Sequence, residues 1–427
     1  MIFRAKNYHA RDLMKNYTTN TACRMCKSTR LEKVIDLGDQ PLANAFLDRD
    51  ALKRPEPKYP LRMFFCHACG LAQLVDIVDP SVLFRDYVYF SSAMPRMAEH
   101  FRAYARQVAD DFLPPRGGLL VELGSNDGIL LKEVQEFGRG IRVLGVDPAE
   151  NIAKVANERG VETIPDFFSE RLAHDILNRY GSADAIIGNN VVAHINDHHD
   201  LIKGVQTLLA PRGVFVFEAP YLADMFEHMT FDTIYHEHLS YLALAPVVKF
   251  FESFGMEVFD ARVFPVQGNS LRAYAAKKGA YPINSSVGAL LVRERELGLD
   301  RVETYHALAA RIATLKKEVV ATLVDLKKQG KRIAGYGAPA KGNTLLNYYG
   351  IGPEILEYAT EALPSKIGFF TPGMHIPVVD IAEAHKNPPD YYFMLAWNYR
   401  DVILEKEAAF RAGGGKFVMP VGEPRII

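Results

Sequence analysis

At 427 residues, with 48% hydrophobic side chains, 20 Tyr and 25 Phe, the chain is too long for one ordinary domain and too apolar for a disordered or fibrous protein. A formal net charge of -1 leaves no basic surplus with which to neutralise a phosphate backbone, so nucleic acid is not an expected partner. No apolar run reaches the ~20 residues that span a bilayer, and the N-terminal MIFRAKNYHARDLMK lacks the apolar stretch of a signal peptide, so a cytoplasmic protein of three domains is expected.

All four cysteines fall in two CxxC pairs, Cys23 with Cys26 and Cys66 with Cys69, 39 residues apart. Each pair places two thiolates on one turn, and two such turns make the tetrahedral sulfur cage that zinc prefers. Four thiolates leave no position for water, so the expected metal is structural. His67, between the second pair, only decorates the knuckle. The tyrosine-rich Phe84 to Ser92, FRDYVYFSS, follows; on a strand Tyr87 and Tyr89 share a face, which reads as a packed aromatic segment joining this module to the next domain.

Leu119 to Gly128, LLVELGSNDG, is an apolar run that breaks into a glycine-bounded polar turn and resumes with helical spacing, the pattern of strand, turn and helix. Gly124 lets a ligand approach the backbone. Glu122 and Asp127 bracket the turn and would repel a pyrophosphate, so a cationic ligand fits better. Ile141 to Pro148 is a second apolar strand ending in Asp147, about 20 residues on, where ribose hydroxyls are commonly held. Asp166 and Phe167 in IPDFF stand where an adenine would lie. Ala183 to Asn189 and Gly213 to Glu218 continue the strand series between helical patterns, the rhythm of a parallel sheet.

Asn189 to His194, NNVVAH, sits at the carboxyl end of a core strand, where open α/β sheets bind ligands. FDTIYHEHLSY (231–241) crowds Tyr235, His236, Glu237 and His238 into four residues; adjacent positions face different ways, so one or two of them face the crevice and a second zinc site is not expected. FPVQGNSLR turns on glycine and leads into a strand, LRAYAA, that closes the sheet. Pro282 to Gln329 reads as a helical linker with Leu290, Leu291, Leu308, Ile312, Leu315, Val319, Leu323 and Leu326 on its apolar side. Arg332 to Asn343, RIAGYGAPAKGN, repeats the strand and glycine turn, but now with Lys341 and no acid, which suits a diphosphate. Strands at Glu357 to Thr360, Tyr391 to Trp397 and Lys416 to Met419 complete a smaller parallel sheet, with an irregular loop around Pro372 to Pro377 and Asn398 at a strand's carboxyl end.

The VELGSNDG turn is similar to the first motif of S-adenosylmethionine-dependent methyltransferases. Together CRMC with CHAC, YVYFSS, VELGSNDG, IYHEHLSY, GYGAPAKGN, TPGMHIPV and AWN, in that order, resemble the sugar C-methyltransferase family, which acts on nucleotide-linked 4-keto-6-deoxyhexoses. The resemblance covers essentially the whole chain. It implies a class I methyltransferase Rossmann-like domain (91–281) between a zinc-binding module (1–90) and a helical linker with a second Rossmann-like domain (282–427). It implies S-adenosyl-L-methionine held by Glu122, Gly124, Asn126, Asp127, Asp147, Asp166, Phe167 and Asn189. Structural zinc would sit at Cys23, Cys26, Cys66 and Cys69. A dTDP- or GDP-linked ketosugar would bind at Tyr336, Gly337, Lys341, Asn343 and Asn398. His238 takes the place of the family's base, with Tyr87, His194, Tyr235 and Glu237 as supporting groups. One departure is visible: a turn that often reads HGGS in relatives is Gln267, Gly268, Asn269, Ser270 here. A monomer is favoured. A zinc-knuckle methyltransferase of nucleic acid would need a basic groove, and a non-catalytic nucleotide-binding scaffold would have no use for Tyr235, Glu237 and His238 at the crevice.

Overall fold

The computed structural model describes residues 16–84, 91–93, 95–266, 268–421 and 426–427. Tyr87, Tyr89 and Gln267 lie outside them. Near the N-terminus, β1 (Tyr17–Thr19), β2 (Leu31–Gln40), β3 (Tyr59–Cys66), β4 (Ala72–Leu74) and β5 (Asp76–Val78) form two small antiparallel sheets. The alternating burial of β3 puts Tyr59, Leu61, Met63 and Phe65 on the inner face, as a half-covered strand requires.

The central domain holds β6 (Leu119–Leu123), β7 (Arg142–Val146), β8 (Thr163–Ile164), β9 (Ala183–Asn189), β10 (Leu209–Pro220), β11 (Ser240–Tyr241), β12 (Met256–Phe264) and β13 (Ser270–Lys277). Seven of these make one sheet in the order β12-β13-β10-β9-β6-β7-β8, parallel except where β13 inserts antiparallel between β10 and β12. Every residue of β6 is buried, the signature of a strand covered on both faces. The order reverses at β6 and β9, which opens a crevice at their carboxyl ends. The eighth strand, β11, leaves the domain and pairs with β4 of the N-terminal sheet, Ser240 opposite Gln73 and Tyr241 opposite Ala72.

The single helical stretch expected over 282–329 is two helices, Ser285–Glu296 and Val302–Lys328, parted at Gly298. The first belongs with the central sheet. Its buried Glu294 accepts from the backbone N–H of Leu244 and, at 2.9 Å, of Ala245, the uncapped start of helix Leu244–Glu252, and from Tyr221 Oη at 2.9 Å. The second helix buries Tyr305, Leu308, Ile312, Leu315, Val319, Leu323 and Leu326, a stripe three and four residues apart.

The C-terminal domain is a five-stranded parallel sheet of β14 (Ile333–Gly335), β15 (Ala359–Glu361), β16 (Val378–Asp380), β17 (Tyr391–Phe393) and β18 (Lys416–Val418), ordered β16-β15-β14-β17-β18. Its edge strand β16 begins directly after the stretch read from sequence as irregular loop and is an addition to the strands expected. The domain docks on the N-terminal module through a bridge between Leu47 and Phe370, and through Glu56, which accepts from Gly373 N at 2.8 Å and pairs with His375 Nε2 at 3.0 Å. No helix of the described residues is long and apolar enough to cross a membrane.

Burial pushes the Glu294 carboxyl above its usual pKa, so its three donors are what hold it in place. Glu294→Ala strands them in the interior and is expected to cost about 2–4 kcal/mol in urea unfolding; a loss under about 1 kcal/mol would mean that water replaces the carboxylate.

Candidate active site and metal centre

The two CxxC turns are built alike. Lys27 N donates to Cys23 O at 3.0 Å and Gly70 N to Cys66 O at 2.8 Å, with Lys27 and Gly70 both in the left-handed region. The four Sγ atoms lie within 4.8 Å of one another, with Cys23 to Cys69 at 3.6 Å and Cys26 to Cys66 at 3.5 Å. Sulfurs about 2.3 Å from a tetrahedral zinc are about 3.8 Å apart, so the set fits that ion. His67 Nε2 faces away, 2.8 Å from Glu32.

At the crevice of the central sheet, Gly124 has φ +63 and a Cβ there would lie 2.1 Å from Val191 Cγ2, so the turn after β6 and the segment after β9 touch at a position only glycine fills. Asn126 and Asn190 also hold positive φ, +50 and +52. Asp147 accepts from Asn126 N at 2.8 Å and from Ala149 N at 2.9 Å, tying the two strand ends together. Glu122 is 3% exposed, and burial, with Asp147 and Asp127 beside it, raises its pKa well above the carboxylate range. Among the described residues Glu122 Oε2, both amide atoms of Asn189, Ser125 Oγ and Asp127 Oδ1 are buried without a hydrogen-bond partner. A ligand carrying positive charge and hydrogen-bonding groups satisfies this set. The other oxygen of Asp127 is engaged by Arg159 at 2.7 Å and by Ser92 Oγ. Asp166 sits further out, its carboxylate 3.0 Å from Arg171, with Phe167 half-buried beside it.

From Asn189 the chain runs to His194, and Ala193 O accepts from Leu239 N at 2.8 Å, which joins NNVVAH to the 231–241 loop. The rings of His194 and His238 are 5.0 Å apart and those of Tyr235 and His238 4.0 Å. His238 Nδ1 donates to Thr233 O at 2.8 Å; a carbonyl only accepts, so Nδ1 carries the proton and Nε2 keeps its lone pair. Burial lowers the His238 pKa to about 4, and the Lys341 cation adds to the effect. The His194 pKa is likewise lowered by burial. Glu237 is buried and accepts from Asn44 Nδ2 at 2.7 Å, while His236 Nε2 donates to Tyr59 O at 3.2 Å; both partners belong to the N-terminal module. His238 opens onto a cleft lined also by Tyr221, Asp224, Asn269 and Trp397. Asn269 donates to Asp224 at 2.6 Å.

Trp397 comes from the C-terminal domain, and its indole N–H donates to Asp232 Oδ2 at 2.6 Å. Lys341 Nζ lies 4.0 Å over the same ring, and no described carboxylate pairs with it. Burial pushes the Lys341 pKa down to about 8 and that of Asp232 up to about 6. Gly337, at φ +84, leaves no room for a Cβ beside Ala396, and helix Ala340–Tyr349 begins without a side-chain cap. The remaining expected substrate groups are dispersed. Tyr336 Oη donates to Glu407 at 2.8 Å inside the domain's own core, Asn343 Nδ2 donates to Ala43 O at 2.7 Å, and Asn398 Oδ1 is buried without a partner. Asp232 and Asn44 carry no signal in the sequence; for the cleft-lining role of Trp397 the one signal is that it is the only tryptophan, and it stands four residues beyond the end of β17 rather than on the strand expected over 391–397.

A buried carboxylate whose pKa is raised costs stability when ionised. Glu122→Gln is therefore expected to melt at or above the wild-type temperature at pH 7 while binding S-adenosylhomocysteine about 10–100-fold more weakly by calorimetry; unchanged affinity would show that Glu122 does not face the ligand.

A C-methyltransferase C-terminal domain model matches residues 265–422, a zinc binding domain model residues 23–84 and a methyltransferase domain model residues 97–260. C-methyltransferase NovU of Streptomyces niveus is 37% identical over 406 residues, covering 95% of this chain and 96% of the relative. Among solved structures, magnesium protoporphyrin IX methyltransferase of Synechocystis PCC 6803 with bound SAM is 15% identical at a TM-score of 0.32, over 45% of this chain and 86% of the other. The DhpI–SAH complex is 17% identical at a TM-score of 0.29, over 43% and 95%. Identity of 37% along nearly all of both chains, with three domain matches in sequence, makes this chain a member of the C-methyltransferase family, SAM-dependent and built on a zinc-binding module, a methyltransferase domain and a C-methyltransferase C-terminal domain.

Proposed function

We propose that the acceptor is a nucleotide-linked 4-keto-6-deoxysugar, methylated on the carbon beside the keto group, position 3, with His238 as the base. The observation that carries this reading is the His238 tautomer: Nδ1–H is committed to Thr233 O, so Nε2 is an unprotonated acceptor beside the cleft. A ketone acidifies the neighbouring C–H, and His238 Nε2 takes that proton. Tyr235 and His194, the rings nearest His238, supply hydrogen bonds to the developing enolate oxygen. Glu237, held by Asn44, orients the loop. Bound S-adenosyl-L-methionine supplies the electrophilic methyl group on its sulfonium. The acidic crevice suits that cation, and the nucleotide diphosphate, dTDP or GDP, lies at the GYGAPAKGN turn with Lys341 and the Gly337 backbone.

His238→Asn is expected to lower kcat on the order of 10²–10⁴-fold while both ligands still bind. Near-wild-type turnover, with Glu237→Gln or His194→Asn inactive, would place the base elsewhere. Because the neutral ring is required and burial depresses its pKa, kcat/KM should hold its plateau through pH 6.5 and fall only as pH drops toward about 4. Lys341→Ala removes a positive neighbour, so His238 protonates more readily: the acid limb should move to higher pH and KM for the sugar nucleotide should rise, with S-adenosylhomocysteine affinity unchanged. An unmoved limb and unchanged KM would remove Lys341 from the site.

A further inference from the structure

Arg24 stands between two metal-ligating cysteines, is 2% exposed, and pairs with no described carboxylate. Its guanidinium donates to Leu74 O at 2.6 Å, to Leu239 O, and to Ser240 Oγ at 3.4 Å; its backbone N–H donates to Gln73 Oε1 at 3.1 Å. An interior guanidinium without a counter-charge is strongly disfavoured, so the compensating charge must come from somewhere near. Four thiolates around a divalent zinc carry a net negative charge, and Cys23 and Cys26 flank Arg24 in the chain. Two of the three residues that its guanidinium grips, Leu239 and Ser240, directly follow His238. Leu239 is pinned at both ends of its peptide unit, its N–H to Ala193 O at 2.8 Å and its carbonyl to Arg24 and, at 2.9 Å, to Leu74 N.

We infer that Arg24 is a positioning residue for the base: the zinc–thiolate centre holds the guanidinium in the interior, and the guanidinium fixes the Leu239–Ser240 backbone and through it the placement of His238. The metal centre thereby acts on catalysis through one side chain. This rests on the reading of His238 as base, and small displacements of a reacting group are costly in rate.

The test compares Arg24→Met, which keeps the apolar stem, with Arg24→Lys, which keeps the charge and one donor direction. Both are assayed with S-adenosyl-L-methionine and dTDP-4-keto-6-deoxyglucose. Arg24→Met is expected to retain one zinc per chain by elemental analysis, and S-adenosylhomocysteine affinity and sugar-nucleotide KM within about twofold, while kcat falls on the order of 10–100-fold. Hydrogen exchange should quicken in residues 234–242 and not in the central sheet, and Arg24→Lys should recover part of kcat. Full kcat with unchanged exchange in Arg24→Met overturns the inference. So does loss of zinc or cofactor binding in both variants, which would make Arg24 a folding residue. If only Arg24→Met fails to keep its zinc, Arg24→Lys decides alone: intermediate kcat with full zinc supports the role, and wild-type kcat refutes it. His238→Asn is run beside them. Should it turn over normally, the base assignment fails; should it be inactive while Arg24→Met is normal, only the present inference fails.

Discussion

The hydrogen bond from His238 Nδ1 to the Thr233 carbonyl fixes which ring nitrogen carries the proton and where the other points, and it depends on how residues 231–241 are folded. That segment has little regular structure of its own: a 3₁₀ turn at Phe231–Thr233 and a two-residue strand at Ser240–Tyr241. Its conformation comes from outside. Phe231 packs on Tyr348 and Tyr349, with ring centroids 5.6 and 5.8 Å away, and Asp232 holds Trp397, both from the C-terminal domain. Tyr59, Asn44, Arg24 and β4 hold the other end from the N-terminal module. The central domain contributes Ala193. The loop is the place where three domains meet, and its shape is a consequence of their docking.

The two ligand ends of the cleft carry opposite charge. In the crevice, Glu122, Asp147 and Asp127 are all buried, and burial together with the two aspartates disfavours the ionisation of Glu122. At the C-terminal turn, the half-buried Lys341 lies over an aromatic ring, and no described carboxylate pairs with it. Like charges gathered in a low-dielectric site repel until a counter-charge arrives, so each end is poised for a ligand of the opposite sign. Lys341 reaches further than its own ligand, because its charge also depresses the His238 pKa. An anion bound at the turn would offset that charge and raise the His238 pKa.

The parts legible in sequence were those with a short-range physical signature. The apolar strands, the glycine after β6, the acid ending β7 and the two cysteine pairs each follow from local burial, backbone geometry or ligand chemistry, and the structure puts them in one sheet and one cluster. The edge strand β16 was not legible, since it is three residues long, follows directly on a proline- and glycine-rich loop, and pairs with β15. Gly298 divides a pattern that periodicity alone ran together. In the 231–241 loop the sequence offered four polar residues and no means of ranking them. Their orientations depend largely on partners far off in the chain, Asn44 for Glu237 and Tyr59 for His236, 193 and 177 positions away, while Arg24 holds the neighbouring Leu239 from 215 positions away. Arg24 itself reads as an ordinary exposed knuckle residue until β11 is seen crossing into the N-terminal sheet.

That crossing also bears on the protonation state of His238. A histidine exposed to water at its ordinary pKa of about 6.5 is partly protonated near neutrality and exchanges its proton freely with solvent. Enclosed by elements from three domains, His238 loses the hydration that would stabilise its cation, and the neutral ring is favoured by burial rather than by a carboxylate partner. A carboxylate in hydrogen-bond reach of Nδ1 would have fixed the same tautomer but raised the pKa. The Thr233 carbonyl fixes the tautomer without adding a charge. In the proposed reaction the same enclosure would keep water from the enolate awaiting a methyl group, and water is the competitor that would return its proton. Domain docking thus favours the neutral ring of His238 and, in the proposed reaction, would exclude the side reaction by one physical cause, the removal of solvent from the 231–241 loop.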